Sequence, residues 1–166
     1  MAKTYVGSPG WRGTLRLYAA GERALEQSEA PAAQLAVEWQ GNRHGHPSSY
    51  GLLAASLGDQ HEETRFDFDF LEGARSFKAL AGRAEIVELT LELPYRQVVV
   101  DHSREIGIPL VVTFAATGQQ GSSQRVFEWL TAMLALGLHN GKWPTKKEEV
   151  WAMWDKSRPV DQRFVS

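Results

Sequence analysis

Apolar and polar residues alternate with a period of two in several stretches of the chain. Residues 34–40, QLAVEWQ, put Leu35, Val37 and Trp39 on one face and Gln34, Glu38 and Gln40 on the other. Residues 64–70, TRFDFDF, set Phe66, Phe68 and Phe70 against Arg65, Asp67 and Asp69. Residues 85–93, EIVELTLEL, set Val87, Leu89, Leu91 and Leu93 against Ile86, Glu88, Thr90 and Glu92. Residues 14–19 show a shorter version, with Leu15 and Leu17 against Thr14, Arg16 and Tyr18. This pattern predicts strands of a sheet with one buried and one solvated face. Residues 108–115, IPLVVTFA, lack polar alternation and read as a strand buried on both sides.

A helical period takes over elsewhere. Pro94 suits a first helical position and Gly107 a C-terminal cap, and Tyr95, Val98, Val99, His102 and Ile106 fall on one helical face. The run Val98–Val100 favours a strand locally, but the flanking signals decide for a helix. Residues 125–141 predict a helix with a wide apolar face, ended by His139, Asn140 and Gly141. Residues 144–156 predict a second C-terminal helix, opened by a Thr145–Glu148 capping box and carrying Val150, Trp151 and Trp154 as its apolar stripe. A short helix is also expected over 50–57, capped by Ser48 or Ser49, after a loop at 41–49. Residues 22–27 are ambiguous, and the linker 71–82 has room for a helical turn.

Strands first, then a strand–helix–strand unit, then helices: this order predicts an α+β or mixed α/β fold. The expectation is a single domain with a largely antiparallel sheet, helices packed on one face and two helices at the C-terminus. An irregular arm is expected over 1–13, where Gly7, Pro9, Gly10 and Gly13 crowd together, then one globular domain over 14–157 and a loose tail over 158–166.

With 166 residues, 43% hydrophobic and 23% charged, the chain matches an ordinary globular domain. The absence of Cys excludes disulfides, thiolate metal sites and Cys nucleophiles. The first residues show no secretory pattern, and the longest apolar run, 129–138, is too short to span a bilayer. A soluble, cytoplasmic protein without membrane contact is the expectation. The net charge of −2 argues against a nucleic-acid partner.

Five groups of residues carry candidate chemistry. In residues 114–130, FAATGQQGSSQRVFEWL, a predicted strand passes through a loop into a predicted helix. Free N–H groups and the positive end of a helix dipole meet at such a junction. Gly118 and Gly121 would admit an anion, and Thr117, Ser122 and Ser123 would supply hydroxyls. A phosphate loop needs Lys and then Ser or Thr after its second Gly, whereas Ser122 and Ser123 follow Gly121 here. No dinucleotide fingerprint is present, so no cofactor is expected. The plainer reading is a polar connection capped by Ser122 or Ser123.

His44 and His46 have a spacing that can hold a metal in a loop. They need further ligands such as Asp59, His61, Glu62 or His102, and Pro47 and Ser48 interrupt the fuller pattern of hydrolytic metal sites. No metal site is assigned. The run Asp101–His102–Ser103 has the residue types of a hydrolytic triad, but neighbours on a helix face different ways.

Asp67, Asp69, Glu88 and Glu92 would share one acidic face if their strands pair. Residues 59–92 hold nine acids against four basic residues, a charge that would suit docking of a basic partner. Trp151 and Trp154 either pack on their own domain or anchor a protein partner. The six basic and four acidic residues after 140 give too small an excess for a phosphate footprint, which ranks DNA binding by the last helices lowest.

The leading expectation is a non-enzymatic protein-binding module (an adaptor, an inhibitor or immunity-type protein, or an assembly subunit). It would act through the acidic sheet face, the Trp-bearing helix, or both. Its partner is another protein of unknown identity, and homo-oligomerisation stays open. The alternative is a phosphate- or nucleotide-binding enzyme or sensor using 117–123.

Overall fold

The computed structural model describes residues 3–8, 11–19, 34–43, 46–67, 74–78, 84–88, 93–117 and 124–158. Its elements run β1 (Lys3–Ser8), β2 (Trp11–Ala19), β3 (Leu35–Arg43), β4 (His46–Leu57), β5 (Arg65–Phe66), β6 (Ala74–Lys78), β7 (Ala84–Glu88), α1 (Leu93–Ile106), β8 (Leu110–Ala116), α2 (Gln124–Asn140) and α3 (Lys147–Lys156). Six strands form one sheet in the order β1-β2-β3-β4-β8-β5, and β6 with β7 forms a separate two-stranded sheet. Every pairing is antiparallel except that of β5 with β8. The fold is α+β, with helices on one face of the main sheet and two of them at the C-terminal end, as the order of patterns predicts.

The register explains which face is which. Leu15 lies opposite Trp39, Leu17 opposite Val37, Val37 opposite Leu53 and Leu35 opposite Ala55. These residues join one buried cluster with Phe127, Leu130 and Leu134 of α2 and Trp151 and Trp154 of α3. On β8 a bulge between the partners of Ala54 and Ala55 adds one residue. It keeps Val112 and Ala115 together in the helix-side cluster.

Two glycines set how closely the layers approach. A Cβ on Gly51 would come within 2.8 Å of Leu130 and 2.9 Å of Val126, so its absence lets α2 settle on β4. A Cβ on Gly137 would overlap the Trp143 ring. That indole reaches back from the α2–α3 connection, and its Nε1 donates to the Tyr18 carbonyl at 2.8 Å.

Several sequence expectations are met. Helix α1 spans Leu93–Ile106, and Gly107 caps it with φ +82°. The N–H of Ile108 donates to the Ser103 carbonyl at 3.2 Å and that of Gly107 to the Arg104 carbonyl at 3.1 Å, a Schellman cap. Gly141 ends α2 with φ +83°.

Others are corrected. Residues 50–57 are strand, not helix, because β4 is buried on both faces: Leu52 and Ala54 on one, Leu53 and Ala55 on the other. Central strands lose the polar alternation that marks them. The arm expected over 1–13 is largely β1 and the start of β2, joined by the pair Ser8–Trp11. The loop expected at 41–49 is mostly the facing ends of β3 and β4. Part of the linker 71–82 is β6 rather than a helical turn. Helix α3 starts at Lys147 with Lys146 at its N-cap and no side-chain cap bond, so the Thr145–Glu148 box does not form. Residues 22–27 and the tail from 159 lie outside the described residues.

Alanine in place of a helix-interior glycine ordinarily stabilises by about 0.8–1 kcal/mol. Gly137→Ala is expected to do the reverse here. The Trp143 ring must shift, and overpacking of this kind costs about 1–3 kcal/mol. Urea unfolding of the variant against the parent chain checks the sign.

Candidate functional site

The most heavily buried charge-bearing side chain described is Glu38, in the middle strand β3 on the face away from the helices. It stands between Arg16 of β2 and Leu52 of β4 and has no solvent exposure. The Tyr18 hydroxyl donates to Glu38 Oε1 at 3.0 Å, and the Tyr50 hydroxyl donates to Oε2. Both phenols are themselves buried. Burial, and then the charge of Glu38, push the Tyr18 phenol well above the usual tyrosine value, while the Arg16 guanidinium beside it acts the other way. Tyr18 therefore keeps its proton and serves as a donor. Arg16 Nε donates to Thr4 Oγ1 at 3.2 Å, extending the polar row to β1. The arrangement ties β2, β3 and β4 through side chains on one face, with the phenol protons directed to the carboxylate. The alternation in 34–40 predicts Glu38 on a solvated face, and only the register shows the two tyrosines flanking it.

A second polar group sits where the segment before β5 crosses α1. Thr64 and Ser103 are buried, with their hydroxyl oxygens 2.5 Å apart. Ser103 Oγ donates to the Val100 carbonyl at 3.0 Å, and the Leu110 N–H donates to Thr64 Oγ1 at 3.0 Å. These bonds leave the Thr64 proton for Ser103, so both hydroxyl protons are committed. The pair lines a small cleft with Gln60, Glu62, Arg104 and Pro109. At its mouth Arg104 Nη2 meets Glu63 Oε1 at 2.5 Å, and Nη1 lies 3.5 Å from Asp101.

The run Asp101–His102–Ser103 points three ways, as helix geometry requires. Asp101 accepts from Gln97 Nε2 at 2.8 Å, His102 Nδ1 lies 3.3 Å from Glu105, and Ser103 turns to Thr64. No relay from the imidazole to the hydroxyl is formed.

The C-terminal tryptophans pack inward. Trp154 has no exposure and stacks between Trp39, at 4.9 Å and 32°, and Trp129, at 5.3 Å and 12°. Trp151, 6% exposed, meets Trp39 edge-on at 6.4 Å and 84°. The expectation that Trp151 and Trp154 anchor a partner is corrected: indoles held in the core offer no surface to dock on.

Among the described residues, strand pairing does not assemble the expected acidic face. Strand β5 pairs with β8, and β7 pairs with β6, so Asp67 and Glu88 do not come from neighbouring strands. Asp67 is exposed just after β5, and Glu88 is the last residue of β7. Asp69 and Glu92 lie outside the described residues. Of the loop candidates, Thr117 is half-buried at the end of β8, and Gly118, Gly121, Ser122 and Ser123 lie outside the described residues. The ends of that connection are placed as expected: β8 closes at Ala116 and α2 opens at Gln124. His46 begins β4 opposite Arg43, and His44 lies outside the described residues. Among the described residues no group of three His, Asp or Glu could hold a metal ion, and no helix is long and apolar enough to cross a membrane.

No family model, no curated protein and no solved structure matches this chain.

Two outcomes follow from this geometry. Trp154→Ala is expected to cost about 3–5 kcal/mol of unfolding free energy, the range for emptying a core aromatic site. A surface role would give a change near zero, so chemical denaturation separates the two. In alkali, a phenol whose folded pKa is raised contributes stability fully below its unfolded value, about pH 10, and loses it as pH climbs further. Unfolding free energy is expected to fall above about pH 10 in the parent chain and less steeply in Tyr18→Phe, read by denaturation at stepped pH. Identical slopes would show that Tyr18 is not the group responsible.

Proposed function

We propose that this is a non-enzymatic, cytoplasmic protein-binding module that docks a basic partner through carboxylates at the β5 edge of the sheet. The observation that carries the reading is the anchored display of acids over 58–67. Asp59, Glu62, Glu63 and Asp67 are all exposed within this stretch, which contains one arginine, Arg65. Its backbone is held at both ends and between them. The Gly58 N–H donates to the Pro109 carbonyl at 2.9 Å, and the Asp67 N–H donates to the Val112 carbonyl at 2.8 Å. Thr64 is pinned to Ser103 and Leu110. Glu63 is engaged by Arg104, whereas Glu62 and Asp67 form no ion pair among the described residues. A rigid acidic edge meets a basic surface with little ordering cost, and its charge speeds and orients the encounter. Asp67 is the one expected docking residue that the described surface supports.

The test is a triple neutralisation, Asp59→Asn with Glu62→Gln and Asp67→Asn, in affinity capture followed by identification of what binds. A basic protein retained by the parent chain is expected to be lost from the variant and from the parent in high salt, while both unfold at the same temperature. Equal capture by parent and variant would overturn the acidic edge as the docking surface.

A phosphate- or nucleotide-binding role at 117–123 is the second reading. It is favoured by the β8-to-α2 junction and by the lack of any acidic residue in the first turn of α2, which leaves the positive helix end unneutralised by its own turn. A ligand at a hundred times its dissociation constant adds about 2.7 kcal/mol. A thermal-shift panel of inorganic phosphate, nucleotides and sugar phosphates is then expected to raise the midpoint by several degrees, an effect lost in Gly121→Val. A flat panel removes this reading.

A further inference from the structure

We draw no further inference here: the strongest candidate, the buried Tyr18–Glu38–Tyr50 cluster on the sheet face opposite the helices, carries nothing because both carboxylate oxygens already accept phenol hydroxyls and the residues around it, Ala36, Leu52 and Ala54, are closed off from solvent.

Discussion

The Trp39 indole is the contact on which the rest of the described fold depends. It rises from the middle of the sheet, with Leu15 on one side in register and Gly51 on the other. Gly13 leaves the space the ring occupies, since a Cβ there would overlap it. Its Nε1 donates to Ser49 Oγ at 2.9 Å, which fixes the ring's orientation. Trp154 and Trp151 pack on it from α3, and Trp129 of α2 stacks on the far side of Trp154. Each such aromatic buries roughly 150–250 Å², so this cluster contributes a large share of what holds the two C-terminal helices to the sheet. The pairing of large rings with glycines recurs at Gly137 and Trp143. In both places the absence of a Cβ leaves the space that an indole ring fills.

The opposite face obeys a different rule. A buried carboxylate costs several kcal/mol unless hydrogen bonds replace its water. Glu38 has phenols on both oxygens, from the two strands that flank its own. Tyr18 joins the two faces, because its phenol serves Glu38 while its backbone carbonyl accepts the Trp143 indole N–H. A change in the register of β2 would therefore break the polar cluster and the helix-side tie together. That makes the register a well-specified feature of the sheet rather than one that hydrophobic burial alone must hold.

The chain announces its surfaces more clearly than its neighbours. The helices α1 and α2 were legible because a 3.6-residue period and a glycine with positive φ mark body and end. Strand β3 was legible on its apolar side, Leu35, Val37 and Trp39. Its other side was not, since Glu38 between Ala36 and Gln40 looks like any solvated position until Tyr18 and Tyr50 are brought beside it. Strand β4 read as a helix because burial on both faces removes alternation and leaves Leu and Ala, which also favour helices. Of the two acidic alternating stretches, only Arg65–Phe66 and Ala84–Glu88 are strand among the described residues, and Leu93 already belongs to α1. Alternation in any case gives the face and never the pairing partner. Asp67 accordingly follows a strand paired with β8, whereas Glu88 ends a strand paired with β6. Trp151 and Trp154 were ambiguous for a similar reason: a narrow aromatic stripe has the same spacing whether it meets a sheet or a partner.

What separates the buried polar groups from the exposed acids in this molecule is where their partners are. Glu38, Ser103, Thr64 and His102 carry residue types capable of chemistry, and each is engaged by groups of its own chain. A hydroxyl whose proton goes to a helix carbonyl is a strut, and so is a phenol kept neutral to donate to a carboxylate. The acids of 58–67 differ in kind. Their backbone is fixed by the sheet and by α1, yet Glu62 and Asp67 are exposed and form no ion pair among the described residues. The same stretch carries the Thr64–Ser103 hydroxyl pair and the Arg104 pair at Glu63. That physical asymmetry separates the exposed acids of 58–67 from the aromatic helix α3, whose Trp151 and Trp154 are buried.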